Sequence, residues 1–165
     1  MEQNHYLDFP VMRKDFENWR TVGAAVIMKN RAVIAPETID KKGIIYSTKP
    51  NPLVNDWMLD IEVDIGNDQR SQKGGTGLGI FYLRSINEVS HTDSIFGYSS
   101  RFEGVGIYMN SLLKSEKGNG KEILNAIQGY YNDGQRIVNV FSDKKHMCYK
   151  RYRNLPGGQT TKLRI

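Results

Sequence analysis

A cluster of glycines at residues 74–79, Gly-Gly-Thr-Gly-Leu-Gly, is the first candidate for chemistry in the sequence. Glycine-rich loops bind phosphate where they follow a strand and open a helix, or where they end in Gly-Lys-Ser/Thr. Here the glycines run into the apolar segment 80–83, which is typical of a strand, and the cluster does not end in Gly-Lys-Ser/Thr. We therefore interpret the cluster as a turn or a close backbone contact, and not as a nucleotide site.

Residues 144–153 mix basic and aromatic side chains in the order Lys-Lys-His-Met-Cys-Tyr-Lys-Arg-Tyr-Arg. Proteins that bind single-stranded nucleic acid combine cations with stacking rings in this way. The alternative is a strand whose basic side chains face water, where long cationic stems cover apolar edges and deter aggregation. We favour the alternative, and we expect no nucleic-acid partner.

The sequence offers little for catalysis or metal binding. Its three histidines, at positions 5, 91 and 146, lack metal-ligand spacing, and neither a Ser/His/Asp nor a Cys/His set stands out. The acidic residues of segment 60–64 alternate with apolar ones, so we expect them on the water-facing side of a strand. These features predict that the protein is not an enzyme.

Cys148 is the single cysteine of the chain. A lone cysteine is usually a small apolar side chain or an unpaired thiol rather than a reactive group. Because the chain has no second cysteine, we predict that Cys148 is unpaired.

Size and composition indicate one globular domain spanning residues 1–165. The chain has 39% apolar and 25% charged residues and a formal net charge of +5, an ordinary balance for a folded domain. Its apolar runs are all shorter than the ~18 residues that would span a bilayer. The N-terminal segment lacks the basic-then-apolar layout of a signal peptide. We expect any membrane attachment to come from segments outside this chain.

The hydrophobic pattern predicts many short strands. Apolar residues alternate with polar ones over residues 57–65, whereas segments 78–83 and 105–109 are continuously apolar, as in strands covered on both faces. Segment 122–130 fits a helix or a strand, and Asn132-Asp133-Gly134 is a strong turn signal. Further strands are predicted at residues 137–141, 147–151 and 160–165. The pattern favours an antiparallel all-β sandwich.

Several short motifs, in order, closely resemble those of the L-type (legume-like) lectins of the early secretory pathway, over residues 16–165. The motifs lie at Trp19 with residues 23–25, at 34–36, 43–46, Trp57 with 60–63, 77–82, 96–97, 104–108, 132–134 and 148–154. The resemblance implies a concanavalin-like antiparallel β-sandwich (jelly roll), which we expect to be incomplete at its C-terminal end. It also implies a non-catalytic lectin domain of a glycoprotein cargo receptor in the lumen of the endoplasmic reticulum or Golgi, with a glycoprotein or protein as partner.

The resemblance also assigns the family's binding positions, and most of them have changed. Sugar-binding positions correspond to Thr76, Lys114 and Tyr130, and calcium positions to Asn110, Lys114 and Asp133. Only Asp133 keeps the family's residue, and Lys114 adds a positive charge where calcium needs oxygen ligands. We therefore expect no calcium, an ion pair between Lys114 and Asp133, and weak or absent binding of high-mannose glycans. The alternative is a sugar-independent interaction or structural domain.

Overall fold

A computed structural model of the protein describes residues 6–36, 38, 40–51, 56–66, 76–86, 94–114, 123–142, 147–153 and 155–165. Regular structure in these ranges consists of strands and two short 3₁₀ helices, Arg13–Asn18 and Pro156–Gly158. No helix in the described ranges is long and apolar enough to cross a bilayer. The strands in chain order are β1 (Trp19–Gly23), β2 (Val26–Ile27), β3 (Ala32–Val33), β4 (Gly43–Ser47), β5 (Asp60–Val63), β6 (Gly77–Leu83), β7 (Ser94–Ile95), β8 (Tyr98–Ser99), β9 (Glu103–Lys114), β10 (Ile123–Asp133), β11 (Met147–Tyr149) and β12 (Thr161–Arg164).

The chain divides into two compact units. The first, here the N-terminal unit, comprises Met1–Ile61 with Leu163–Ile165, and the second, the central unit, comprises Glu62–Lys162. In the N-terminal unit β1 pairs antiparallel with β4, and β2 pairs with β3. β1 ends at Gly23, whose φ of +70° would strain any other residue.

β5 pairs with β12, and the alternation predicted for residues 57–65 is confirmed. The odd-numbered apolar residues of this segment are half-buried, whereas the even-numbered residues between them are exposed. Asp60 accepts two hydrogen bonds from Arg164, at 2.7 and 2.9 Å, and Glu62 accepts one from the hydroxyl of Thr160. The acidic residues therefore lie on the exposed side of the strand, as expected.

A four-stranded antiparallel sheet in the order β11-β10-β9-β6 forms the frame of the central unit. Residues 123–130, which fitted a helix or a strand, belong to β10, and its register with β9 runs from Ile123 opposite Lys114 to Asp133 opposite Glu103. The register shifts between Leu124 and Ala126, which marks a β-bulge. Because strand side chains alternate, one face of the sheet carries the even-numbered residues of β10 from Ala126 onward.

An aromatic cluster packs on that face of the sheet. Tyr108 is completely buried, and Phe81 contacts the rings of Tyr98, Phe102 and Tyr108 at centroid distances of 5.2, 5.5 and 5.5 Å. Val138 and Val140 complete the cluster. The core of the central unit thus depends on the segment after β10 as well as on the sheet.

The strand predicted at residues 137–141 is wrong, because this segment forms an irregular stretch that ends in a turn. The side-chain oxygen of Asn139 accepts the backbone N–H groups of Phe141 and Ser142, at 3.1 and 3.3 Å. This side chain replaces the ladder bonds of a strand, a competition typical of asparagine.

Candidate functional site

Thr76 and Asn110, two positions that the resemblance assigns to binding, lie side by side. β6 begins at Gly77, which is directly opposite Asn110 on β9, and the N–H of Ser111 donates to the carbonyl oxygen of Thr76 at 2.9 Å. Gly77 has a φ of +139°, and an added Cβ would collide with the carbonyl oxygen of Met109. Thr76 is exposed at this end of the sheet.

The side chain of Asn110 belongs to a buried network of amides. Its Nδ2 donates to Oε1 of Gln128 at 3.2 Å and to the carbonyl oxygen of Val140 at 3.3 Å. Nε2 of Gln128 donates to the same carbonyl oxygen at 3.0 Å. Asn110 and Gln128 are both 0% exposed. The network therefore anchors the segment around Val140 to the sheet, because breaking it would leave buried polar groups unpaired.

A second buried contact supports the same end of β9. The hydroxyls of Ser111 and Tyr152 are 2.9 Å apart, and Tyr152 is 1% exposed. Burial raises the pKa of Tyr152, and the hydrogen bond with Ser111 opposes that change. Ser111 therefore links two segments: its N–H donates to the carbonyl oxygen of Thr76, and its hydroxyl bonds to that of Tyr152.

Tyr130 reaches the same network from β10. Its hydroxyl accepts a hydrogen bond from Nε2 of Gln128 at 3.2 Å, and its half-buried ring packs against Tyr108 at 5.8 Å, with the ring planes at 68°. The structure therefore brings Tyr130, Asn110 and Thr76 to one region of the sheet. A contact between Tyr130 and a sugar ring stays a prediction.

The predicted ion pair between Lys114 and Asp133 is wrong. Lys114 is opposite Ile123, whereas Asp133 lies ten residues further along β10, opposite Glu103. At about 3.3 Å per residue the two backbones are on the order of 30 Å apart, far beyond the reach of a lysine side chain. Asp133 instead accepts the N–H of Gln135 at 3.0 Å in the turn after β10. The side chain of Lys114 lies outside the described residues.

The described residues around Asn110 do not fit a calcium ion. Calcium takes six to eight oxygen ligands, carboxylates among them. The amide nitrogen of Asn110 is committed to Gln128 and Val140, and Asp133 is at the other end of the β9–β10 ladder. Within the described ranges, His, Cys, Asp and Glu side chains form no group of three that could hold a metal.

Sequence reasoning missed three residues beside this region. Phe141 is 45% exposed and stacks on Phe96 with ring centroids 5.9 Å apart. Asn139 holds the turn that presents Phe141. A signal was available, since asparagine side chains often bond to the backbone two residues further on, which favours an Asx turn over a strand.

Comparisons with known proteins agree with this architecture. A model of the legume-like lectin family matches residues 1–164, so the chain belongs to the legume-like lectin family. A comparison with curated proteins finds no match. The family resemblance and the all-β, concanavalin-like sandwich are thereby confirmed.

Solved structures of lectin domains share the fold. The exoplasmic/lumenal domain of VIP36 bound to Ca²⁺ and Man3GlcNAc has a TM-score of 0.72 and 18% identity, covering 90% of this chain and 61% of that one. Its metal-free form has a TM-score of 0.75 and 18% identity, with coverages of 93% and 63%. A mutant of the Emp46p carbohydrate recognition domain has a TM-score of 0.63 and 20% identity, with coverages of 92% and 64%. The chain therefore spans about three fifths of the length of the solved domains that it matches.

Proposed function

We propose that this chain is a non-catalytic recognition domain of a glycoprotein cargo receptor in the lumen of the endoplasmic reticulum or Golgi. It binds high-mannose glycans weakly or not at all, and it uses no calcium. Its partner is a glycoprotein or a protein. Membership of the legume-like lectin family and the likeness to a lumenal domain of VIP36 support the class and the compartment.

The buried amide network of Asn110 carries the proposal. Asn110 stands where the family resemblance assigns a calcium ligand, yet its amide nitrogen binds Gln128 and Val140 within the protein. A cation placed there would face amide N–H groups and would require the network to break. The site has therefore been converted from an ion-binding position into part of the core.

Thr76 supports the same conclusion for the sugar. The resemblance places an aspartate at this position, where a carboxylate would accept charge-assisted hydrogen bonds from sugar hydroxyls. A threonine hydroxyl supplies a neutral bond instead, and losing a bond to a charged group costs ~1.5–3 kcal/mol, or about tenfold to a hundredfold in affinity. We expect any mannose binding to be weak for this reason.

The second candidate is a sugar-independent protein-interaction domain, and the surface of the N-terminal unit favours it. Four apolar side chains of this unit are between 41% and 60% exposed: Phe9, Met12, Val26 and Met28. The N–H of Val11 donates to the carbonyl oxygen of Lys29 at 2.8 Å, which brings the segments carrying Met12 and Met28 together. Contiguous exposed apolar side chains are typical of surfaces that contact other proteins.

Calorimetric titration with high-mannose oligosaccharide, in millimolar calcium and in chelator, tests the proposal. We expect no binding tighter than millimolar in either condition, and a melting temperature that does not respond to calcium. The variant Thr76→Asp serves as the matched comparison, because it restores the acceptor of the family without touching the amide network. Sub-millimolar, mannose-specific binding by the wild-type chain, or a calcium-dependent rise in melting temperature of several degrees, would contradict the proposal.

A further inference from the structure

The positive charge of this chain is concentrated in residues 144–165. This segment contains seven Lys and Arg residues and no Asp or Glu, whereas residues 1–143 contain 16 Lys and Arg against 18 Asp and Glu. The segment therefore carries a formal charge of +7, and the rest of the chain carries −2. A charge so unevenly distributed along a sequence creates a local field that attracts partners of the opposite sign.

The structure separates the cations of this segment that are already used from those that face water. Arg164 is paired with Asp60, and Nη2 of the half-buried Arg153 donates to the carbonyl oxygen of Gly66 at 3.1 Å. The exposed cations in the described part of the segment are Lys150, Arg151 and Lys162. Two of these three directly follow β11.

β11 (Met147–Tyr149) is an edge strand of the four-stranded sheet, and among the described residues only β10 pairs with it. The N–H of Lys150 donates to the carbonyl oxygen of Asn125 on β10 at 3.2 Å, in the register of the β10–β11 pair. Because backbone groups alternate in direction along an antiparallel strand, those of Met147 and Tyr149 point away from β10. Each of these two residues thus presents an N–H and a C=O group that another strand could pair with.

The side chains around this edge are open to solvent. Tyr149 is 58% exposed, and Cys148 is exposed as well. The hydroxyl of Thr161 donates to the carbonyl oxygen of Tyr152 at 3.2 Å, which brings the segment that carries Lys162 close to the end of this region. The edge therefore combines backbone hydrogen-bonding groups, an exposed aromatic ring and positive charge.

The same features argue against a nucleic acid and against a second copy of this chain as the occupant. Nonspecific binding of single strands needs exposed rings on which bases stack. The segment has two aromatic residues, and one of them, Tyr152, is 1% exposed with its hydroxyl bonded to Ser111. Pairing of two β11 edges would bring two segments of like charge together, and basic side chains on an edge strand deter such pairing.

We propose that the open edge of β11 binds an extended, acidic segment of a partner protein, which adds to the sheet as a further strand. Backbone hydrogen bonds to Met147 and Tyr149 supply the register, and carboxylates of the partner face Lys150 and Arg151. The inference goes beyond the proposed function, since it requires neither a glycan nor calcium and it concerns the central unit.

Fluorescence anisotropy with a labelled peptide of alternating Glu and Val tests the proposal. We expect the peptide to bind in low salt and to weaken as the salt concentration rises, because the ion pairs are at the surface. A Lys-Val peptide of the same length should not bind. The Glu-Val peptide with its backbone nitrogens methylated keeps the charges but cannot donate to the edge, so its affinity should be lower by on the order of tenfold.

Variants of the chain locate the site. Lys150→Glu should weaken binding of the Glu-Val peptide on the order of fivefold. Tyr149→Pro should weaken it as well, because it removes an N–H that points away from β10 and leaves the pairing with β10 intact. Arg136→Glu is the control of equal charge change: Arg136 is exposed in the turn after β10, whereas β11 pairs with Ala126–Gln128 near the other end of that strand. This control should bind within about twofold of wild type.

Four results would overturn the inference. They are the absence of binding in low salt, equal affinities of the methylated and unmethylated peptides, an equal loss in Arg136→Glu and Lys150→Glu, and tighter binding of oligothymidine than of the Glu-Val peptide. A dimer of the chain that Tyr149→Pro dissociates would also overturn it, since a second copy would then occupy the edge. None of these results involves a glycan, so the proposed function is tested separately.

Discussion

Asn110 on β9 and Gln128 on β10 share a hydrogen bond of 3.2 Å, and both side chains are fully buried. The bond joins neighbouring strands, and both side chains also donate to the carbonyl oxygen of Val140. An aspartate at position 110 would lose both donors and would place its charge beside two acceptors. An asparagine at position 110 is therefore needed for the buried hydrogen bonds to Gln128 and Val140.

Asn110→Asp should lower the free energy of unfolding by ~3 kcal/mol, because a buried carboxylate would face the acceptors of Gln128 and Val140. Denaturant unfolding at neutral pH measures the change. Asn139→Asp is the control, since Asn139 is exposed and uses only its oxygen as an acceptor, which a carboxylate retains. We expect the control to stay within about 0.5 kcal/mol of wild type. If millimolar calcium restored the stability of Asn110→Asp, the result would contradict our inference that this region does not bind calcium.

Tyr108→Phe should raise the free energy of unfolding by ~1 kcal/mol. The ring is 0% exposed, and its hydroxyl has no hydrogen-bond partner among the described residues, so the buried hydroxyl carries an uncompensated desolvation cost. Urea unfolding of both proteins provides the measurement. A clear loss of stability would indicate that the hydroxyl has a partner after all.

The alkaline stability of the protein should depend on the same residue. Burial, with a smaller contribution from Tyr130, raises the pKa of Tyr108 in the folded state. A raised folded-state pKa contributes stability that is complete below the unfolded value of about 10 and is lost as the pH rises above it. The wild-type melting temperature should therefore fall more steeply above about pH 10 than that of Tyr108→Phe. Parallel melting curves for the two proteins would contradict this expectation.

Gly77→Ala should destabilise the central unit and disturb the start of β6. The residue has a φ of +139°, and its Cβ would collide with the carbonyl oxygen of Met109. We expect a loss of ~2 kcal/mol, in the range for strained backbone positions. Gly129→Ala on β10 is the matched control, because nothing lies within 4 Å of its added Cβ. Equal stabilities of the two variants would show that the strain at position 77 is relieved elsewhere.

Cys148 should react with one equivalent of a thiol reagent in the folded protein, at a rate close to that of the unfolded chain. The residue is exposed on β11, and it is the single cysteine of the sequence. A colorimetric thiol titration with and without denaturant checks both points. Protection in the folded state alone would mean that the side chain is covered, for instance by association with another molecule.

Much of the sheet could be predicted from local patterns. The alternation over residues 57–65 and the continuous apolar run that became β6 required only the strand period and the length of the run. Residues 123–130 could not be assigned, since spacing alone fits both helix and strand, and pairing with β9 decides the outcome. Tertiary contacts override weak local preference in such segments.

The candidate site was less accessible to sequence reasoning. Thr76 and Asn110 lie on neighbouring segments that a backbone hydrogen bond links, whereas their role in binding stays a prediction. Asp133 was assigned to the same site through an Asn-Asp-Gly match, although its turn lies at the far end of the β9–β10 ladder. Phe141 fell within a predicted strand, whereas the structure places it in a turn that a hydrogen bond to the side chain of Asn139 holds. The spacing of apolar residues gives no sign of such a bond.

The bulge between Asn110 and Lys114 has a consequence for how this protein can diverge. Two residues of β9 there oppose one residue of β10, so the inward and outward positions exchange along β9 relative to its partner. A single-residue deletion within the bulge would restore one-to-one pairing, with Leu113 still opposite Leu124 and Asn110 still opposite Ala126. The bulge can therefore absorb a change in strand length of one residue while the register that buries Asn110 is kept.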